Sequence, residues 1–203
     1  MNAVCVLIAF LHKDIYLYYD SFDIIKFFVL FVVVFIQSSS EELICRGFHY
    51  QRLKKGYKSP LVPIIVNGLI FMSLHLFNPG MNPMSILSIC LIAVLYSVVI
   101  YYFDSIWFGM AAHAAWNFTQ NILFGLPNSG IVSPYSVFEL DASTARSNWI
   151  YDAAFGVEGT LLANIITVLG IVVVIILGRK FGRKEYNVWE GFVYTLYSLR
   201  PNF

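Results

Sequence analysis

The sequence predicts an all-α, polytopic membrane helix bundle: about five transmembrane helices preceded by a short N-terminal apolar segment. Two observations carry this. Of 203 residues, 59% are hydrophobic and 12% charged, against roughly 25% charged in a soluble domain, and the mean hydropathy is +0.71. The apolar residues also fall in runs close to the length of about 20 that a spanning helix needs. A net charge of +1 without a basic stripe argues against nucleic acid as a partner. Cys5, Cys45 and Cys90 are scattered among apolar residues without metal-ligand spacing.

Taken in order, Val4 to Leu11 is apolar but too short to span, and it lacks the basic flank and cleavage site of a signal peptide. Phe22 to about Leu53 reads as one long helix, ended by the cationic cluster Arg52, Lys54, Lys55 and Lys58 with Gly56 and Pro60. Leu61 to Phe77 forms the second span, closed by the turn Asn78-Pro79-Gly80. Met84 to Phe103, almost without polar residues, is scaffold. After Asp104-Ser105, a fourth helix from Ile106 to Phe124 carries Ala-Ala-His-Ala-Ala-Trp-Asn, whose small residues permit close packing around His113 and Asn117.

Gly125 to Glu158 is polar and reads as a long loop, and Gly159 to Leu177 makes the fifth span. The tail from Gly178 starts with Arg179, Lys180, Arg183 and Lys184 and continues with interfacial aromatics such as Tyr186 and Trp189. By the positive-inside rule the Arg52 to Lys58 loop and this tail lie in the cytoplasm, and the long loop, whose only cation is Arg146, lies outside. With no internal repeat or linker, residues 1–203 read as one integral-membrane domain with a motif core at about 36–121.

One stretch interrupts the apolar pattern. Ser38-Ser39-Ser40-Glu41-Glu42-Leu43-Ile44-Cys45-Arg46 places three ionisable groups in a membrane helix, where each costs roughly 2.5 to 3.5 kcal/mol at the centre. Glu42 and Arg46, four residues apart, share a helix face and can pair. Glu41, about 100° away, is left to face the bundle. A structural ion pair therefore accounts for one carboxylate and leaves the other uncompensated.

At about 1.5 Å of rise per residue, Glu41 lies roughly 20 Å above Lys54, His75 roughly 24 Å above Ser59, and His113 to Asn117 roughly 12 to 20 Å above the Asp104 connection. One carboxylate, two imidazoles and one carboxamide thus overlap in depth. That set fits amide hydrolysis: a glutamate and a histidine together orient and deprotonate a water, while a second histidine with an asparagine donates hydrogen bonds to the tetrahedral oxyanion. Asn67, Asn121 and Asn164 are further polar residues that line the cavity or simply join helices. Other protease chemistries lack their signatures, since HExxH, GxGD and GxSxG are all absent.

Glu41 to Arg46 matches EExxxR, Phe71 to His75 matches FxxxH, and His113 to Asn117 matches HxxxN, in that order. This ordered triple resembles the CPBP family of CAAX proteases and bacteriocin-processing (Abi) membrane proteins. The resemblance implies an intramembrane glutamate endopeptidase in which Glu41 and His75 activate water, His113 and Asn117 form the oxyanion hole, and Glu42 and Arg46 support the site. It implies no cofactor, a multi-pass location in a bacterial plasma membrane, and a membrane-associated peptide or protein substrate, either prenylated or a bacteriocin or signal precursor. Two alternatives use the same residues: a zinc-dependent protease with Glu41, His75 and His113 as ligands, and a non-catalytic scaffold or bacteriocin immunity factor.

Overall fold

The computed structural model describes residues 1–182; the expected interfacial aromatics of the tail lie outside the described residues. The fold is an all-α membrane helix bundle with one small two-stranded sheet. Helix α1 (Asn2–Leu11) buries Cys5, Val6 and Ala9 in a core shared with Ile15, Leu126, Ile150, Tyr151, Val157 and Ala163. The short apolar segment therefore anchors the long loop. Strand β1 (Leu17–Tyr19) pairs antiparallel with β2 (Phe138–Leu140), Leu17 opposite Leu140, and ties the same loop to the N-terminal region.

From Ile24 to Gly56 the chain is one 33-residue helical rod, composed of α2 (Ile24–Glu42), a π-helical stretch (Leu43–His49) and α3 (Tyr50–Gly56). Asp23 starts it, its carboxylate accepting the backbone N–H groups of Ile25 and Lys26 at 2.9 and 3.1 Å, donors that no preceding turn satisfies. Ile25, Phe28, Val32 and Ile36 project outward from the rod, the surface expected of a helix solvated by lipid. The wider π stretch begins directly after the glutamate pair, and a second one (Phe118–Leu123) directly follows Asn117. Such interruptions of α geometry favour functional sites.

Helix α4 (Leu61–Ser73) is shorter than the expected span to Phe77. The chain turns from Leu74 onward, and Gly80 (φ 72°) supports the reversal at Asn78-Pro79-Gly80. Helix α5 (Pro83–Phe103) opens with a capping box between Asn82 and Ser85 and closes on Asp104 in the left-handed conformation (φ 49°). Helix α6 (Ile106–Asn117) leads into the second π stretch, and α7 (Leu161–Phe181) is capped by the Thr160 hydroxyl.

By length and composition, three of the described helices can cross a bilayer: Ile24–Gly56, Pro83–Phe103 and Leu161–Phe181. The sequence suggests about five. The second run folds as a 13-residue helix, about 20 Å long against a hydrocarbon core of about 30 Å. The fourth gives way to the π stretch at Phe118. Helix α5 lies between α4 and α7, while α6 packs on α2; this arrangement faces the glutamate pair toward the end of α4 and the middle of α6.

Candidate active site

Local geometry sets the first half of the site. Arg46 Nη1 donates to Glu42 Oε1 at 2.9 Å, and both side chains are fully buried. The guanidinium lies 4.2 Å from the centroid of Phe71 and 5.6 Å from that of Tyr96, so the aromatic faces replace part of its lost hydration. Gly109 on α6 makes room for the carboxylate: a Cβ there would lie 3.1 Å from Glu42 Oε2. Glu42 has a second partner that helix geometry could not reveal. His113 Nδ1 lies 3.0 Å from the same Oε1.

Glu41 faces the bundle. Its Oε1 accepts the side-chain amide of Gln37, one turn earlier. Its Oε2 is buried without a hydrogen-bond partner, 3.8 Å from His75 Nε2 and 3.9 Å from His113 Nε2. One water bridges groups up to about 5.6 Å apart, twice an O···O hydrogen bond. These three atoms are well within that reach.

The ring orientations follow from what each Nδ1 touches. His75 follows the last turn of α4, where its Nδ1 lies 2.9 Å from the carbonyl oxygen of Phe71. A carbonyl only accepts, so Nδ1 carries a proton and the ring turns its Nε2 toward Glu41. His113 Nδ1 likewise donates to the Glu42 carboxylate. Asn117 Nδ2 donates one hydrogen to Ser38 Oγ at 3.2 Å and keeps a second.

Glu41, His75, His113 and Asn117 line one cavity of about 440 Å³, with Glu42 and Arg46 buried behind it. Asn121 also lines it, donating to the carbonyls of Leu126 and Ile131. Asn67 and Asn164 do not: they bond Ser97 and Ser88 between helices. Among the described residues no group of three or more His, Cys, Asp or Glu side chains is arranged to hold a metal ion. A larger apolar cavity of about 690 Å³ adjoins the polar one, sharing Ile92, Tyr96 and Trp116 with it.

The long loop contributes what the sequence reading missed. Asn128, Ser129 and Glu158 line the polar cavity. Glu158 accepts the backbone N–H and hydroxyl of Ser129 on Oε1 and the Gln120 side-chain amide on Oε2. Burial pushes its carboxyl up to about 7 despite these donors. No motif or periodicity marks it.

Against known proteins, residues 23–119 match the family model of type II CAAX prenyl endopeptidases, Rce1-like. That stretch is similar to the Rce1-like family. The Rce1-like stretch runs from the cap of α2 to the second π stretch and holds all seven specified residues of the EExxxR, FxxxH and HxxxN motifs singled out above. That similarity supports a protease of the CAAX type working in the membrane. Glu158 and the loop lie beyond the matched residues. No curated protein and no solved structure matches the chain.

Proposed function

We propose that the protein hydrolyses a peptide bond of a membrane-associated peptide or protein, with Glu41 and His75 activating the water and His113 and Asn117 stabilising the oxyanion. The observation that carries this reading is the unpartnered Glu41 Oε2, 3.8 and 3.9 Å from two imidazole Nε2 atoms inside one cavity. A water seated between Glu41 and His75 gives up a proton to them as its oxygen attacks the scissile carbonyl carbon. Charge then develops on the carbonyl oxygen. The free Asn117 hydrogen and His113 Nε2 meet it, the latter as a donor when the ring is an imidazolium with Nδ1 on Glu42. Collapse of the tetrahedral intermediate breaks the C–N bond, and the proton taken from water passes to the leaving amine.

Glu42 and Arg46 are positioning residues here. Arg46 balances Glu42, and Glu42 orients His113. The adjoining apolar cavity suits an apolar side chain or lipid moiety of the substrate, so prenylated and unmodified precursors both fit. By the positive-inside rule, the basic ends of α3 and α7 support a cytoplasmic location for that side of the bundle, where Tyr102 packs on Gly178, and we propose a bacterial plasma membrane as its setting.

The deciding experiment compares wild type and Glu41→Gln, purified and reconstituted, on a labelled membrane peptide. Turnover lost in Glu41→Gln supports the reading; undiminished turnover ends it. The proposed steps use no metal, so activity persists in chelator; activity lost to chelator and restored by zinc transfers the assignment to the zinc-dependent alternative.

A further inference from the structure

The loop side of the polar cavity holds an incomplete set of polar contacts. Glu158, 2% exposed, precedes α7 and lines the cavity together with Asn128 and Ser129. Its carboxylate accepts the Ser129 N–H, the Ser129 hydroxyl and the Gln120 amide, all of them uncharged donors. Beside it, Asn128 Nδ2 is buried and has no partner. A donor without an acceptor and a carboxylate held by uncharged donors alone thus line the same cavity as Glu41. Among the described residues no lysine or arginine lines it: its ionisable side chains are Glu41, Glu158, His75, His113 and Tyr96.

Charge narrows the choice of occupant. Arg46 is already matched by Glu42, and among the described residues no ion pair joins Glu158 to a cation. A buried, uncompensated carboxylate is costly until a cation or a proton reaches it. A substrate carboxylate entering here would meet two glutamates and, among the described residues, no lysine or arginine, whereas an ammonium or guanidinium would supply the missing charge.

Building on the hydrolytic reading of this cavity, we propose that Glu158 and Asn128 form a specificity subsite that takes a lysine or arginine side chain of the peptide substrate, Asn128 holding a neighbouring backbone carbonyl. The substrate then passes through the cavity as an internal, cationic segment. This favours endoproteolysis of a basic juxtamembrane sequence over trimming at a free carboxyl terminus.

The test uses three dansyl-labelled apolar nonapeptides that differ at the central residue: lysine, norleucine or glutamate. Their Kd values are measured by fluorescence anisotropy on detergent-purified protein, and their cleavage by chromatography. Wild type is expected to bind the lysine peptide roughly tenfold more tightly than the norleucine one, the scale of a charge-assisted hydrogen bond, and the glutamate peptide least. Glu158→Gln, similar in shape and uncharged, should abolish the preference. Equal binding of all three by wild type overturns the proposal, as does a preference retained in Glu158→Gln. The wild-type comparison needs no substitution, so it decides even where the variant fails to fold. Discrimination in binding without cleavage of any peptide supports the subsite and counts against hydrolysis; cleavage without discrimination does the reverse.

Discussion

Replacing Arg46 with methionine tests the core of the site most directly. Arg46 and Glu42 are both fully buried and joined at 2.9 Å, so the variant leaves a carboxylate in the bundle with His113 Nδ1 as its remaining partner on Oε1. Removing one member of a buried pair costs about 3 to 5 kcal/mol, because the other charge stays uncompensated. Methionine replaces much of the volume packed on Phe71, and the packing loss adds little. In Glu42→Gln/Arg46→Met the stranded charge is gone, and most of the loss should be recovered. Equilibrium unfolding in mixed micelles of wild type, both single variants and the double variant gives the coupling energy directly. An Arg46→Met loss below about 1 kcal/mol, or a double variant no more stable than Arg46→Met, would refute the claim that the pair is an electrostatic unit.

Further outcomes follow from the same geometry. Glu41→Gln should lower kcat by about 10² to 10⁴, the range for loss of a positioned base, while leaving the unfolding midpoint nearly unchanged, because Glu41 holds only Gln37. Asn117→Ala should lower kcat by about 10² to 10³ with KM little altered, as for a lost oxyanion donor; a change confined to KM would place Asn117 in binding instead. Gly109→Val should destabilise the protein and reduce activity together, because even a Cβ would lie 3.1 Å from Glu42 Oε2. Glu158 gives stability a pH dependence with a defined sign. Its carboxyl titrates near 4.5 when unfolded and about 7 when folded, so the unfolded chain releases this proton first. Stability is full below about 4.5 and declines as pH rises toward 7, by about 3 kcal/mol in all. Glu158→Gln should flatten that slope in unfolding midpoints measured across the window.

Much of the architecture could be read from the chain because it depends on short-range regularities. Hydropathy located every long helix within a few residues, Asn78-Pro79-Gly80 marked a real reversal, and the four-residue spacing of Glu42 and Arg46 foretold their contact. Span count was less legible. Hydropathy registers an apolar run whether or not the helix persists, and α4 stops at Ser73, where His75 turns back onto the Phe71 carbonyl. The loop was read as polar connection, yet it buries Tyr151, Phe155, Val157 and Glu158. Its contacts are with α1 and the cavity, residues far away in the chain.

The sequence by itself determined a membrane bundle, the Glu42–Arg46 pair and the separation of Glu41 from it, since helix periodicity governs which neighbours meet within one turn. Only the tertiary structure decided that His113 shares Glu42 with Arg46 across 71 residues of chain, that both imidazoles turn Nε2 toward Glu41, and that Glu158 enters the same cavity. Ring orientation depends on which acceptor each Nδ1 finds: for His75 it is the Phe71 carbonyl on its own helix, but for His113 it is Glu42, supplied by packing between helices rather than by spacing along one.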